Sequence, residues 1–302
     1  MRTLKRVASL VLAAGIATTL SAETHCPGNV ESVPLRYVNG YQMIVTVSVN
    51  HSGHYDFLLD TGTQFTMVDP SLAAELHLRN QDSIPVDGTG FHAAASSAQL
   101  DQLAIGSHAV AHLEAVVYSL QNLKSFDLHL RGVLGEDFLQ HFDMLIDNAH
   151  KMLCLDESSA MRANMKGSHT ALVTPMDGDD VPPNSLIIPI RLSGSSHLLR
   201  LKLDSGANTP FLYSPSKLTA IPQLRVASLH GSGTDGAQRS FVALPPQDMK
   251  IGSLDVSKVP FFTLASGDRN SNSLGFDGLL TMGLFRRVFI CHSDHFAILE
   301  PR

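Results

Sequence analysis

Cysteine is scarce in this sequence: Cys26, Cys154 and Cys291 are the whole set, and none stands in a Cys-x-x-Cys pair. A zinc site built on paired thiolates therefore has no support, and one thiol stays unpaired whichever disulfide forms. Charge is also sparse. Only 17% of residues are charged against 44% hydrophobic, the balance of a chain that folds rather than one that stays disordered. No segment carries a long, clean apolar pattern with a 3.6-residue period, so an all-helical architecture does not fit. Several catalytic signatures are missing too. There is no His-Glu-x-x-His and no Gly-x-Ser-x-Gly elbow, and the Gly231–Gly236 stretch lacks the Gly-Lys-Ser/Thr ending of a phosphate loop. Metal chemistry thus has no motif among the fifteen histidines. His292 and His295, beside Asp294, are expected at the surface of a strand turn.

Long apolar runs are confined to the start of the chain. Arg2, Lys5 and Arg6 precede Val7 to Leu20, and Ser21-Ala22 follows as a small-residue cleavage site. Residues 1–22 read as a secretory signal, with export to a periplasmic or secreted destination. About 14 apolar residues fall short of the roughly 20 needed to span a bilayer, so no stable membrane anchor is expected after removal of the signal. The chain holds 28 acidic and 22 basic residues, a net charge of −6. Losing the three basic residues of the signal leaves −9, which argues against nucleic acid or an anionic membrane as a partner.

What the sequence does contain is a repeat. Phe57-Leu58-Leu59-Asp60-Thr61-Gly62 has a near-copy, Leu201-Lys202-Leu203-Asp204-Ser205-Gly206, placed 144 residues later. In each, an apolar strand delivers a carboxylate, a small hydroxyl residue and a glycine that allows a sharp turn or a close approach. The landmarks that follow keep the same order. Gly88 lies 28 residues after Asp60 and Gly231 lies 27 after Asp204; Gly135 lies 75 after the first and Gly283 lies 79 after the second. Each half is therefore one supersecondary unit, duplicated.

The surrounding segments read as short strands and turns: Val33–Tyr37 and Met43–Val49 around Asn39-Gly40, Tyr55–Leu59, strands within 103–117 around Gly106-Ser107, Met144–Asp147 and Met152–Leu155. Short helices are expected over Pro70–Leu78 and Asp137–Phe142. The second half repeats the scheme through Ile187–Leu192, Leu199–Leu203, Phe285–Ile290 and Phe296–Leu299. Residues 27–156 form the first lobe, 157–183 a Gly-, Pro-, Ser- and Asp-rich linker with a strand at Ala171–Val173, and 184–302 the second lobe. The glycine-rich turns, with Gly88, Thr89, Gly90 and Phe91 in one and Gly231 and Gly233 in the other, stand at a distance that suits flaps over a substrate.

Two lobes facing each other about a pseudo-twofold axis bring Asp60 and Asp204 together. Carboxylates within hydrogen-bond reach cannot comfortably both ionise, so the pair shares a proton. One carboxylate then activates a water while the protonated partner polarises an amide carbonyl, and no metal is required. Thr61 and Ser205 can bond across the interface, and the amides of Gly62 and Gly206 can point at the carboxylates.

On these residues the chain resembles the aspartic proteases of the pepsin/retropepsin superfamily, in an exported bacterial two-lobe form. The likeness runs from about Val33 to Pro301. It rests on Leu59-Asp60-Thr61-Gly62, Leu203-Asp204-Ser205-Gly206 and the apolar-Gly segments Val133–Gly135 and Leu280–Gly283. It implies an all-β, bilobal fold of two duplicated retropepsin-like β-barrel lobes with short helices, catalytic Asp60 and Asp204, an extended polypeptide substrate and no cofactor. The chain differs from the pepsin pattern in having no tryptophan, Phe91 in the first flap segment, Thr63-Gln64 after the first glycine, and Thr281 in the second apolar-Gly segment. A monomer is expected, since a duplicated chain builds the site by itself. The competing expectation is a non-catalytic peptide-binding or scaffolding protein on the same fold, which would have no need of two carboxylates at one axis.

Overall fold

The computed structural model describes residues 26–88, 91–173, 181, 184–213, 226–232, 238–265 and 275–302. The signal segment 1–22 and the turn residues Thr89, Gly90 and Gly233 lie outside the described residues. The architecture is all-β as expected: the described residues form three sheets, with short helices at Pro70–Glu75, Glu136–Leu139 and Ala160–Asn164.

Local chemistry sets the elements. Asn39 and Gly40 both take left-handed backbone between Arg36–Val38 and Gln42–Val49, and Asn50 and His51 do the same between Gln42–Val49 and Ser52–Leu59. The segment expected as one strand over Val33–Tyr37 is two. Ser32–Pro34 pairs with Met152–Asp156, whereas Arg36–Val38 pairs with Gln42–Val49. Pro34 has no N–H with which to continue a ladder, and the Leu35 N–H donates to Lys151 O at 2.8 Å instead. The first helix is shorter than expected. Asp69 caps it by accepting from the Ser71 N–H at 3.1 Å, and the chain leaves it at His77 with φ 52°.

The duplication is visible in strand order. One sheet runs Gln42–Val49, Ser52–Leu59, Leu130–Leu134, Met67–Val68, His108–Val117, Phe91–Ile105, Asn80–Gly88. The other runs Ile187–Leu192, Leu198–Asp204, Gly278–Thr281, Phe211–Leu212, Phe262–Leu264, Gln238–Ala243, Val226–Ser232. In both, the aspartate strand is parallel to the apolar-Gly strand, and the pairs that follow have matching polarity. A long hairpin differs between the halves. Phe91–Ile105 and His108–Val117 form continuous strands, while their counterparts are cut into Gln238–Ala243 with Gln247–Ile251, and Leu254–Val259 with Phe262–Leu264. The cuts fall at Pro245-Pro246 and at Pro260, where a ladder donor is missing.

A six-stranded sheet joins the halves. The hairpin Asp143–Asp147/Met152–Asp156 pairs with the hairpin Phe285–Cys291/Phe296–Pro301 through Met144↔Ile290 to Asp147↔Arg287. Ser32–Pro34 closes one edge and His169–Ala171 the other, so the order is the same read from either end of the duplication. The 157–183 stretch therefore carries a helix and an edge strand, the strand lying two residues earlier than Ala171–Val173. One apolar core runs through both halves, from Val33 and Phe57 to Leu203, Phe285 and Ile290. Cys26 and Cys154 form the disulfide, and Cys291 is a buried free thiol.

Candidate active site

Each aspartate sits where a buried strand ends over its parallel neighbour. Leu59 pairs with Leu134 and the Asp60 N–H donates to Leu134 O at 3.0 Å; Leu203 pairs with Leu280 and Asp204 with Thr281. The apolar-Gly segments thus lie directly beside the aspartate strands and hold their tips.

The two tips interlock reciprocally. The Thr61 hydroxyl donates to Leu203 O at 2.9 Å and accepts from the Ser205 N–H at 3.0 Å. The Ser205 hydroxyl donates to Leu59 O at 2.8 Å and accepts from the Thr61 N–H at 3.0 Å. Both hydroxyls are buried, so these four bonds satisfy groups that water cannot reach. The glycines serve a close approach. A Cβ on Gly62 would stand 2.5 Å from Asp204 Oδ2, and one on Gly206 would stand 2.5 Å from Asp60 Cγ. Each glycine thus makes room for the opposite carboxyl, and the two carboxyl groups are in direct contact, close enough to share a proton.

The surroundings of the pair are not equal. The Gly62 N–H donates to Asp60 Oδ1 at 2.8 Å, whereas Gly206 and Ala207 both donate to Asp204 Oδ1 at 2.8 Å. Burial, then the facing carboxyl, hold Asp60 above the ordinary carboxylate range. Burial raises Asp204 as well, but the Ala207 and Gly206 N–H groups and the Lys202 ammonium oppose it. The pair titrates as a unit, and Asp204, with two backbone donors against one for Asp60, is the member suited to carry the charge.

Residues 45–138 match the model of the aspartyl protease family, a span that includes Asp60 and Gly135. No curated protein matches the chain. Among solved structures, the aspartic proteinase from Irpex lacteus superposes with a TM-score of 0.52 at 12% identity, covering 90% of this chain and 97% of that one. The fold is pepsin-like. The family match lies within the first half, and the likeness to the solved structure extends the same fold over both halves.

The departures from the pepsin pattern have local partners. The Thr63 and Gln64 carbonyls accept from the Glu136 and Asp137 N–H groups at 3.0 and 3.1 Å, tying the Asp60 loop to the helix Glu136–Leu139. Thr281 donates to Ala207 O at 2.6 Å, doing for the second loop what a purely apolar residue could not. Asp137 receives Thr66 through its N–H at 2.8 Å and hydroxyl at 2.7 Å, yet burial pushes its carboxyl up to about 6. Of the flap candidates, Gly88 ends the strand Asn80–Gly88, Phe91 begins Phe91–Ile105 and Gly231 lies in Val226–Ser232. Thr89, Gly90 and Gly233 fall outside the described residues.

Sequence reasoning missed two buried ionisable side chains at contacts between the halves, His292 and Lys202. His292, expected at the surface, has only 10% of its side chain exposed. Its Nδ1 faces Phe142 O at 2.6 Å and its Nε2 faces Glu136 Oε2 at 3.2 Å, so both ring nitrogens have acceptors. Burial alone would lower its pKa, but the hydrogen bond and charge of Glu136 hold it above the ordinary imidazole value. Glu136 itself is fully buried. Lys202, at 4% exposure, donates to Gly62 O at 2.8 Å across the interface. The visible signal was a lysine between Leu201 and Leu203, where the first half has Leu58 between Phe57 and Leu59. Among the described residues no group of three His, Cys, Asp or Glu could hold a metal ion.

Proposed function

We propose that this chain is an aspartic endopeptidase that hydrolyses peptide bonds of an extended polypeptide through a water activated between Asp60 and Asp204. The observation that carries the reading is the reciprocal Thr61/Ser205 lock, which presses the two carboxyls together at the end of two duplicated strands. With one proton on the pair, the ionised carboxylate takes a proton from the water while the protonated one polarises the scissile carbonyl. The water's oxygen forms the new bond to carbon, the amide C–N bond breaks, and the dyad's proton goes to the leaving nitrogen. Flaps at Gly88–Phe91 and Gly231–Gly233 would close over the substrate strand. The signal at 1–22 would deliver the enzyme to an oxidising compartment, where the Cys26–Cys154 bond persists, and the single chain would act as a monomer.

The test is hydrolysis of an unstructured protein between about pH 3 and 7, a range bracketing carboxylate ionisation, with and without a pepstatin-like transition-state mimic. Asp204→Asn is expected to reduce kcat by about 10²–10⁴-fold, the span attributed to positioned acid–base groups. Equal activity in wild type and Asp204→Asn would overturn the mechanism. Peptide binding without cleavage in the wild type would replace it with the non-catalytic reading.

A further inference from the structure

The two halves differ at one buried position close to the dyad. Leu58 and Lys202 hold the same place in the repeat, two residues before the aspartate. Leu58 packs into an apolar cluster with Ile44, Leu130 and Val133. Lys202 instead sends its ammonium across the lobe interface to Gly62 O at 2.8 Å, and it lies 5.8 Å from the centre of the Phe276 ring. A buried ammonium is costly unless opposite charge faces it. The groups that face it are Asp204 on its own strand, Asp60 just past the end of the strand Ser52–Leu59, and Glu136 on the helix Glu136–Leu139. Glu136 is already matched by His292, with Asp143 behind that histidine and Arg162 within reach of Asp143. Asp137, the next residue of the helix, turns its carboxyl to Thr66. The dyad is therefore the charge left to balance Lys202.

We propose that Lys202 is a positioning residue of the dyad: its ammonium holds the Gly62 carbonyl, and with it the Asp60 loop, and keeps one dyad carboxylate ionised where burial would leave both neutral. The inference rests on the endopeptidase reading and assigns the charge that sets its working pH. A cation near a carboxyl pair favours the ionised forms, so removing it raises both pKa values that bound the active, singly protonated state.

Lys202→Met is expected to displace both limbs of the kcat/KM profile to higher pH by about one unit, the low end of the effect of an adjacent opposite charge. Lys202→Arg, which keeps the charge, is expected to return the limbs toward wild type. A merely structural lysine would lower the profile without moving its limbs, and unmoved limbs in Lys202→Met overturn the proposal. Asp204→Asn separates the two ideas: if it is inactive while the limbs of Lys202→Met stay put, the dyad stands and the lysine's role falls. A second measurement needs no active variant. In the full chain labelled with ¹³C at lysine Cε, the Lys202 resonance, assigned by its loss in Lys202→Arg, is expected to titrate at lower pH in Asp204→Asn than in wild type. An unchanged midpoint overturns the electrostatic link.

Discussion

The hydroxyls of Thr61 and Ser205 each serve two partners in a dry interface, and that number sets what their loss would do. Thr61→Val keeps the shape but leaves Leu203 O and the Ser205 N–H without a partner. Each orphaned buried group costs about 1–3 kcal/mol. The expected outcome is a fall in stability of at least that size by urea denaturation, with hydrolysis reduced because the two tips lose their register. Thr61→Ser is expected to stay near wild type, since Ser205 already makes the matching bonds with a serine. Asp60, Thr61, Gly62 and their counterparts were legible as a local motif because each tripeptide carries its own chemistry. Lys202 and His292 were not, because the groups that give them meaning, Gly62 O and Glu136, lie 140 and 156 residues away in sequence.

At the scale of elements, the four-residue helix Glu136–Leu139 is held by the chain it supports rather than by its own propensity. The Asp60 loop supplies acceptors for its first N–H groups, and Asp137 returns the contact to Thr66. The raised pKa of Asp137, about 6 against an ordinary 3.8, has a definite sign. The folded state binds this proton more tightly than the unfolded chain does. Its contribution to stability is therefore complete below the unfolded value and is lost as pH rises through about 6. The full shift corresponds to about 3 kcal/mol. Asp137→Asn, which can still accept from the Thr66 N–H, is expected to flatten the pH dependence of the urea midpoint between pH 4 and 6 relative to wild type. The hairpin turns at Asn39-Gly40 and Gly106-Ser107 were readable from residue type. The cutting of the second lobe's long hairpin at Pro245-Pro246 and Pro260 follows from the same chemistry, but only the paired strands show which ladder those prolines interrupt.

At the scale of the molecule, the halves are joined by a shared sheet and one continuous core, and a disulfide closes a separation of 128 residues within the first half. A crosslink of that reach restricts the unfolded chain strongly, and removing such a bond costs about 2–5 kcal/mol. Cys26→Ser with Cys154→Ser is expected to lower the thermal midpoint while leaving kcat of the folded fraction unchanged. The bond lies in a separate apolar cluster with Leu145, Met161 and Phe289, away from the aspartate tips. Calorimetry paired with hydrolysis at a temperature well below the transition checks both parts. Three cysteines alone left the pairing open. The fold decided it by bringing Cys26 to Cys154 and packing Cys291 against Asp143 and Ser293.

The sequence by itself determined the duplication, the all-β class and the two aspartate tips, because those depend on residue order, strand period and turn chemistry within short windows. Only the tertiary structure decided how the two halves are joined through the six-stranded sheet, which cysteines pair, and which ionisable side chains are buried at contacts between the halves. Those outcomes depend on burial and on contacts between residues more than a hundred positions apart, where a lysine or histidine reads as surface until the groups around it are known.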